Sequence, residues 1–468
     1  MKNWKAAGKD GVQGYWLKNL TNLHERLATY LQSVLDGNIP DWIITGRTTL
    51  ILKNPDKPSD VSNYRPITCL PTVWKLLTSI IADEIYIFLD NNGLIPWQQK
   101  GNKRKSHGTK DQLLIDKLIT TFAKKKKRNL RMVWIDYKKA YDYVPHCWII
   151  NCLKMFHIAD NVIAFLEKSM ELWQTVLQLN QTIIGIVLIK CGIFQGDSLS
   201  PILFIICLIP LTLLLSSTTF GFKIEKEVIN HLLYMDDLKL YGKNEKEIDA
   251  LTNTVRIFSD DINMSFGLDK CAKVTINRGK MEIGSGITLP DGNEIKNLDI
   301  EDEYKYLGLL ESDELNLDRI KTKAKKEYKK RLRSILKSKL HARNQITAIN
   351  TYAIPVLTYP AGIIKFTKQE KQKLDTLTRK QMTMHGSLHP RADIDRLYLP
   401  RKSGGRGLLS VEDTIDKEEN SLAHYVNCTK EPILKLTKEI TLNKSTKPKE
   451  EFAKLAEQER KTKWSQKK

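Results

Sequence analysis

Cysteine is scarce in this sequence and carries no pattern. Cys69, Cys147, Cys152, Cys191, Cys207, Cys271 and Cys428 are scattered over 468 residues without a Cys-x-x-Cys pair. Neither a disulfide framework nor a zinc ribbon is expected, and a reducing intracellular compartment fits best. Long apolar runs are also lacking. The longest, Ile202–Leu215, is interrupted by Pro210 and Thr212 and falls short of the roughly 20 residues that span a bilayer, so it reads as a buried helix. The first residues, Met1 to Lys5, form no apolar signal core. Glycine (24) and proline (16) make up less than a tenth of the sequence, which excludes a collagen-like or low-complexity protein. With 41% hydrophobic residues there is ample material for cores, and the length suggests two to four packed units. No short-period repeat is present. Acid is the scarce charge: 54 acidic against 75 basic residues give a net +21. Residues 311–468 hold 36 basic and 20 acidic groups, so +16 of the excess lies in the last third. A solubility surface is rarely so one-sided; a polyanion, most simply nucleic acid, is the expected partner.

The apolar pattern gives a coarse map. Leu23, Leu27, Leu31 and Leu35 repeat at helical spacing, and Asp36-Gly37 ends that helix. Thr48–Lys53 reads as a strand followed by the turn 54–58, then Leu76–Leu89 and Gln112–Phe122 as helices with buried faces. A basic loop, Lys124–Arg128, leads into a strand, Leu130–Ile135. Helices are expected over about 146–172, strands over about 175–191, and a helix after Pro201. Leu232–Met235 and Leu238–Tyr241 flank Asp236-Asp237 as the arms of a hairpin. Ile248, Leu251, Val255, Phe258 and Ile262 mark an amphipathic helix, with a strand at Val274–Ile276. This order is consistent with a split βαβ sheet covered by helices on one face. Beyond about 312 the sequence looks helical. Arg319–Leu340 carries eleven basic residues and one acid, Glu327, with Ile320, Ala324, Leu332, Leu336 and Leu340 as its apolar stripe. From about 440 the tail is Lys/Glu-rich and poor in apolar residues, a composition prone to disorder.

Three aspartates stand out. Asp136 follows the apolar strand, and Asp236-Asp237 occupies the hairpin tip. If these elements are neighbours in one sheet, three carboxylates meet at its edge and repel one another unless cations intervene. Hard divalent ions suit such oxygens, Mg²⁺ above all with Mn²⁺ as an alternative, and two ions about 3.5–4 Å apart serve phosphoryl chemistry. Asp136 alone reads as well as a solvated strand end. Two adjacent acids between apolar runs are harder to dismiss, because their repulsion costs stability. Asp142 lies six residues on and reads as a helix cap.

Tyr234-Met235-Asp236-Asp237 resembles the YxDD box of reverse transcriptases. Asp136 through Asp142 resembles the family's first catalytic box, and Gly192 through Pro201 matches the second almost letter for letter. Asn63-Tyr64-Arg65-Pro66-Ile67 matches the fingers box of the non-LTR, LINE-like group. Gly267 through Cys271 and Tyr306-Leu307-Gly308 match two later boxes. Six boxes in order outweigh any one. Lys5 through Gly11 is a looser match to the group's N-terminal box, with Ala7 where proline is usual.

The resemblance implies an α+β right-hand polymerase with fingers, a ferredoxin-like palm (an antiparallel sheet covered by helices) and a helical thumb. Residues 1–33 would extend the fingers, 34–311 form fingers and palm, 312–400 the basic thumb and 401–468 a C-terminal region. It implies an RNA-directed DNA polymerase taking an RNA template, a DNA primer or target and deoxynucleoside triphosphates, with no membrane partner. Asp136, Asp236 and Asp237, with the backbone C=O of Tyr137, would hold two Mg²⁺ ions. Tyr141 falls at the steric gate, where a ring collides with a ribose 2′-OH; its plain alternative is a core aromatic. Gln195 and Gly196 would lie near nucleotide and template, Lys53 and Arg65 would grip the triphosphate, and Lys270 would protonate pyrophosphate. Lys325, Lys326, Lys329, Lys330, Arg331 and Arg333 would meet duplex phosphates from the thumb, unless they form only a solvated face.

His385 through Arg391 and Gly404 through Gly407 suggest a structured basic region after the thumb. His385 and His389 have metal-ligand spacing, but no accompanying Cys or carboxylate motif, so a metal is not expected there. The sequence shows no endonuclease motif and no Cys/Cys/His/Cys knuckle. It therefore reads as the polymerase part of a retrotransposon protein, with the primer nick supplied by a separate endonuclease and nuclear residence following from a chromosomal primer. A basic loop such as Lys124–Arg128 as nuclear signal is the weaker argument. Two alternatives stay open from sequence: a catalytically silent nucleic-acid-binding remnant, and a maturase-type or RNA-making palm polymerase.

Overall fold

The computed structural model describes residues 2–60, 63–179, 182–441 and 449–466. In sequence order the elements that matter below are helix α1 (His24–Leu35), strands β1 (Thr45–Leu52) and β2 (Tyr64–Cys69), helices α2 (Thr72–Asn91) and α3 (Thr109–Lys125), and strand β3 (Leu130–Ile135). Helices α4 (His146–Met155) and α5 (Asp160–Leu172) precede strands β4 (Gln174–Leu179) and β5 (Thr182–Leu188) and helix α6 (Ser200–Ser216). Strands β6 (His231–Tyr234) and β7 (Asp237–Gly242), helix α7 (Glu245–Asp261) and strands β8 (Ala272–Asn277) and β9 (Lys280–Glu282) follow. The later part contains helices α8 (Leu317–Leu336), α9 (Lys368–Met384), α10 (Val411–Cys428) and α11 (Lys449–Ser465).

These elements fall into two compact units, Met1–Gly108 with Arg131–Lys273 and Ser285–Asn297, and Thr109–Leu130 with Val274–Gly284 and Leu298–Lys468. The first unit holds a four-stranded sheet in the order β2–β1–β4–β5, parallel only between β1 and β4. It also holds antiparallel pairings in the order β3–β7–β6. All six residues of β3 are buried, and its Val, Trp and Ile are strong sheet formers. Helix α6 is apolar nearly all round with Pro201 in its first turn, as a helix sunk in a core should be. Helix α7 buries Ile248, Leu251, Val255 and Phe258, and its Asn244 cap accepts the Glu247 N–H at 3.0 Å. No described helix is long and apolar enough to cross a membrane. The α+β class follows from these pairings and helices.

Some expected details shift. Helix α1 begins only at His24, so Leu23 stays exposed; Leu31 and Val34 carry the buried contact. Residues 442–448 of the tail lie outside the described residues, while Lys449–Ser465 is helical.

In the second unit, α8 starts at an Asn316 cap and buries Ile320, Ala324, Tyr328, Leu332 and Leu336, a stripe at four-residue steps. Leu340, expected to close that stripe, lies past the last turn and is exposed. Tyr328 joins the stripe despite its polar hydroxyl, which bonds Thr378 on α9 at 2.6 Å and so is buried without loss. Lys124 pairs with Asp313 and Glu314 at 2.7 and 2.9 Å, which takes it out of the basic loop. Helix α9 opens on a capping box of Thr367 and Glu370, and Glu370 also receives Lys325 at 2.8 Å and Lys321 at 3.2 Å. Partial burial raises the Glu370 carboxyl, but Lys325, the Thr367 N–H and Lys321 outweigh it and hold the group at about 2. A depressed carboxylate stabilises above its unfolded value of 4.5 and loses that contribution as pH falls through about 2. Glu370→Gln is therefore expected to cost about 1 kcal/mol at neutral pH. Thermal melts of variant and parent should converge as pH drops from 4.5 toward 2.

Candidate active site

The pairing of β3 with β7 sets the geometry. Ile135 lies opposite Leu238, so one step further along the same antiparallel register puts Asp136 across from Asp237. Strand β6 returns with Tyr234 opposite Asp237, which makes Met235-Asp236 the two-residue turn and Asp237 the first strand residue. The tip is thus one residue earlier than the hydrophobic pattern suggests. Met235 takes a φ of 56°, a left-handed conformation that costs a side chain with a Cβ and that hairpins usually assign to glycine.

A segment that sequence reasoning misses holds this strained tip. Gln99 accepts the Met235 N–H at 3.0 Å through Oε1 and donates to the Met235 C=O at 3.4 Å through Nε2. Lys100 N–H bonds the Leu233 C=O, and Leu233 N–H bonds the Gln98 C=O. A Cβ on Gly101 would stand 2.7 Å from the Met235 backbone N, so only glycine lets the two segments close. The signal is present as Gln98-Gln99-Lys100-Gly101, but nothing in a single sequence pairs it with residue 235.

Burial lifts the Asp236 carboxyl above its usual range, and Asp136 adds to the shift. Asp237 is pushed to about 7, first by burial and then by Asp236 and Asp136. The cation that faces them is Lys270, whose ammonium lies 2.9 Å from Asp136 Oδ2. That bond, with the acids around it, keeps the lysine charged. Asp136 is also fixed by its backbone, since its C=O accepts the Gly267 N–H at 2.7 Å. Among the described residues no three acid, histidine or cysteine side chains are arranged as one ion's ligand cluster. The donor set nonetheless fits hard cations: carboxylates on one strand edge, short of counter-charge and partly desolvated. Tyr137 forms a bridge with Phe266 through the bonds of its neighbours, Lys138 N–H to Ser265 and Gly267 N–H to Asp136. Its own C=O is outside that ladder. Its ring packs edge-on to Phe266, and its hydroxyl meets Ser259 at 3.1 Å.

The two central boxes are stitched together. Gly192 N–H bonds Val144 C=O, and Ile193 N–H bonds Tyr141 C=O. Tyr141 stacks on Phe204 at 4.8 Å, and burial followed by the charge of Asp236 raises its phenol, so the ring stands within the field of the acids. Gln195 donates to Asp142 at 3.2 Å. Asp142 is no cap: it sits inside the helical turn Ala140–Tyr143, and burial lifts its carboxyl while Gln195, Lys139 and Lys53 pull it down. Lys53 follows β1, and Arg65 pairs with Ile51 from β2; both side chains are exposed. Gly196 has a φ of 132°, and a Cβ there would lie 2.5 Å from the Thr68 C=O, so this box rides directly on the end of β2. Asp197, to which the sequence pattern assigns no role, is buried and accepts Thr78, Trp74 and its neighbour's N–H, anchoring the box to α2.

The family model for reverse transcriptase (RNA-dependent DNA polymerase) matches residues 51–310, the interval that contains every one of these contacts. The chain belongs to the reverse transcriptase family. The Pol polyprotein of the type-2 retrotransposable element R2DM of Drosophila melanogaster is 25% identical over 383 residues, 80% of this chain and 35% of that protein. The type-1 element R2 polyprotein of Popillia japonica is 25% identical across 89% of this chain and 58% of its own length. The RNA-directed DNA polymerase of mobile element jockey from Drosophila funebris is 25% identical across 76% and 38%. This reverse transcriptase thus sits with polymerases of non-LTR elements and spans between a third and three fifths of these relatives.

In the second unit of the reverse transcriptase, Lys326, Lys329 and Lys330 point to solvent from α8. Lys325 is turned to Glu370, Arg331 bonds Glu327 and the Tyr352 C=O, and Arg333 bonds Gln381. The clamp on the hairpin gives a direct test. Gln99→Ala should speed hydrogen exchange at the Met235 amide at least about ten-fold, the equivalent of one lost hydrogen bond. Unchanged exchange would mean that the tip is held by packing alone.

Proposed function

We propose that this reverse transcriptase extends a primer 3′-OH with deoxynucleotides on an RNA template, with Asp136, Asp236 and Asp237 holding two Mg²⁺ ions. The observation that carries the reading is the register of β3 on β7, with Asp136 one step beyond the Ile135–Leu238 pair. Bound there, the ions would activate the attacking hydroxyl and neutralise charge on the leaving pyrophosphate. The protein's own contribution is to hold carboxylates where burial and mutual repulsion favour cation binding. The Tyr137 C=O, outside its local ladder, supports a further ligand role. Lys270 would exchange its bond to Asp136 for one to phosphate, with its Nζ proton available to the departing oxygen.

Tyr141, held flat against Phe204, supports a rigid gate against a ribose 2′-OH. Asp142 fixes the Gln195 amide beside Gly196, which suits contact with the nucleotide and its template partner. Lys53, just past the end of β1, and Arg65, opposite Ile51 on β2, suit the triphosphate, Arg65 through its forked donors. Lys326, Lys329 and Lys330, with Arg331, Arg333 and Lys325 beside them, would lie along duplex phosphates. In this reading the primer is a nicked chromosomal end, the nick comes from an endonuclease, and the protein works in the nucleus.

A Mg²⁺-dependent extension assay on an RNA template tests the core of this. Asp236→Ala should lower extension by on the order of 10³-fold or more; activity within a few-fold of the parent would overturn it. Tyr141→Ala should raise ribonucleotide over deoxynucleotide incorporation by about ten-fold, and unchanged sugar selectivity would remove the gate role.

A further inference from the structure

A cavity of about 220 Å³ opens in the second unit between α9, the loop 385–393 and the short helix Ile394–Tyr398. Leu388, His389 and Pro390 of its lining belong to the His385–Arg391 stretch that no role above absorbs. Its floor is apolar: Leu388 and Leu397 are buried, and Ala392 closes one side. Its polar rim is cationic. The Arg379 guanidinium is held by the Tyr398 hydroxyl at 2.9 Å and the Thr376 hydroxyl at 3.0 Å, which leaves three of its five N–H donors for another group. Lys380 stands beside it, and neither cation has a carboxylate within 4.0 Å among the described residues. His389 Nδ1 accepts the Arg391 N–H at 3.1 Å, which leaves its Nε2 side for another group.

The volume is below the roughly 300–1,000 Å³ of a drug-sized site, so one ring-sized group fits and a base pair does not. A small cavity lined by apolar side chains together with a guanidinium, an ammonium and an imidazole matches a base joined to a phosphate. We propose that this cavity takes one unpaired nucleotide of a single-stranded nucleic acid, the base inside and the phosphate on Arg379, Lys380 and His389. The base is held by aliphatic contact with Leu388, Ala392 and Leu397 and the backbone by charge.

The intact protein can be tested by fluorescence anisotropy with labelled oligo(U), oligo(dT) and a blunt duplex of equal length. Ala392→Phe fills the slot; Thr383→Phe, from α9, does so from another wall if the first variant does not fold by thermal melt. Filling should weaken single-strand binding by about ten-fold and leave duplex binding within two-fold. Lys380→Ala should lower the slope of log affinity against log salt for single strands by about 0.7. Loss confined to oligo(U), or to oligo(dT), supports the site and names the strand it serves. Single-strand and duplex affinities that fall together, or that both hold in the filled variants, overturn it. The assay reads binding without extension, so its failure and that of the polymerase reading are separate.

Discussion

Everything in the first unit turns on an electrostatic conflict kept in place by a hydrogen-bonded ladder. Five paired residues of β3 and β7 fix their ends to within one residue, and the next step forces acid against acid. Burial makes the conflict worse than it would be in water, as the lifted carboxyls of Asp236 and Asp237 record. A fold tolerates such repulsion only where the apolar pairings behind it are strong. Here β3 is buried throughout, and Leu238, Leu240 and Tyr241 on β7 are buried with it. A cation bound to the folded state alone would offset that repulsion.

Around that edge backbone bonds join segments distant in sequence. The first and second boxes meet through Gly192 and Ile193, the second box meets β2 through Gln195 and Thr68, and Gln98 through Gly101 meet the hairpin. Such bonds tolerate little drift, because each depends on the position of a peptide plane and not on a flexible side chain. Side chains add to them: Gln99 clamps the hairpin, Gln195 bonds Asp142, and the buried Asp197 carboxylate gathers three donors and fastens a whole loop to α2.

Much of this is legible in the sequence alone, and the reasons are physical. Strand β3 is readable to the residue because a six-residue run, apolar but for Arg131 and bounded by Asn129 and Asp136, has no helical alternative of useful length. Helix α7 is readable from its three- and four-residue steps. Asp236 and Asp237 are readable because two adjacent charges between apolar runs violate local expectation, whereas Asp136 stands out only through the box that it opens. What stays hidden are partners distant in sequence. Gln99 and residue 235 are 136 positions apart, and Asp197 and Thr78 are 119 apart. The stripe of α8 departs from its apolar pattern at Tyr328 and Leu340 for a different reason: burial of a phenol depends on Thr378, and exposure of a leucine depends on where the last turn stops.

The strained tip at Met235 has an evolutionary corollary. Gln99 grips only peptide atoms there, so the identity of the side chain is uncoupled from the anchoring of the neighbouring acids. Unbranched or small residues can be exchanged at this spot while Gln99 keeps both its hydrogen bonds to the backbone. Valine and isoleucine are penalised by the left-handed backbone, and proline is barred because it has no N–H for Gln99 to receive. One position thus serves as an adjustable element within an otherwise fixed edge.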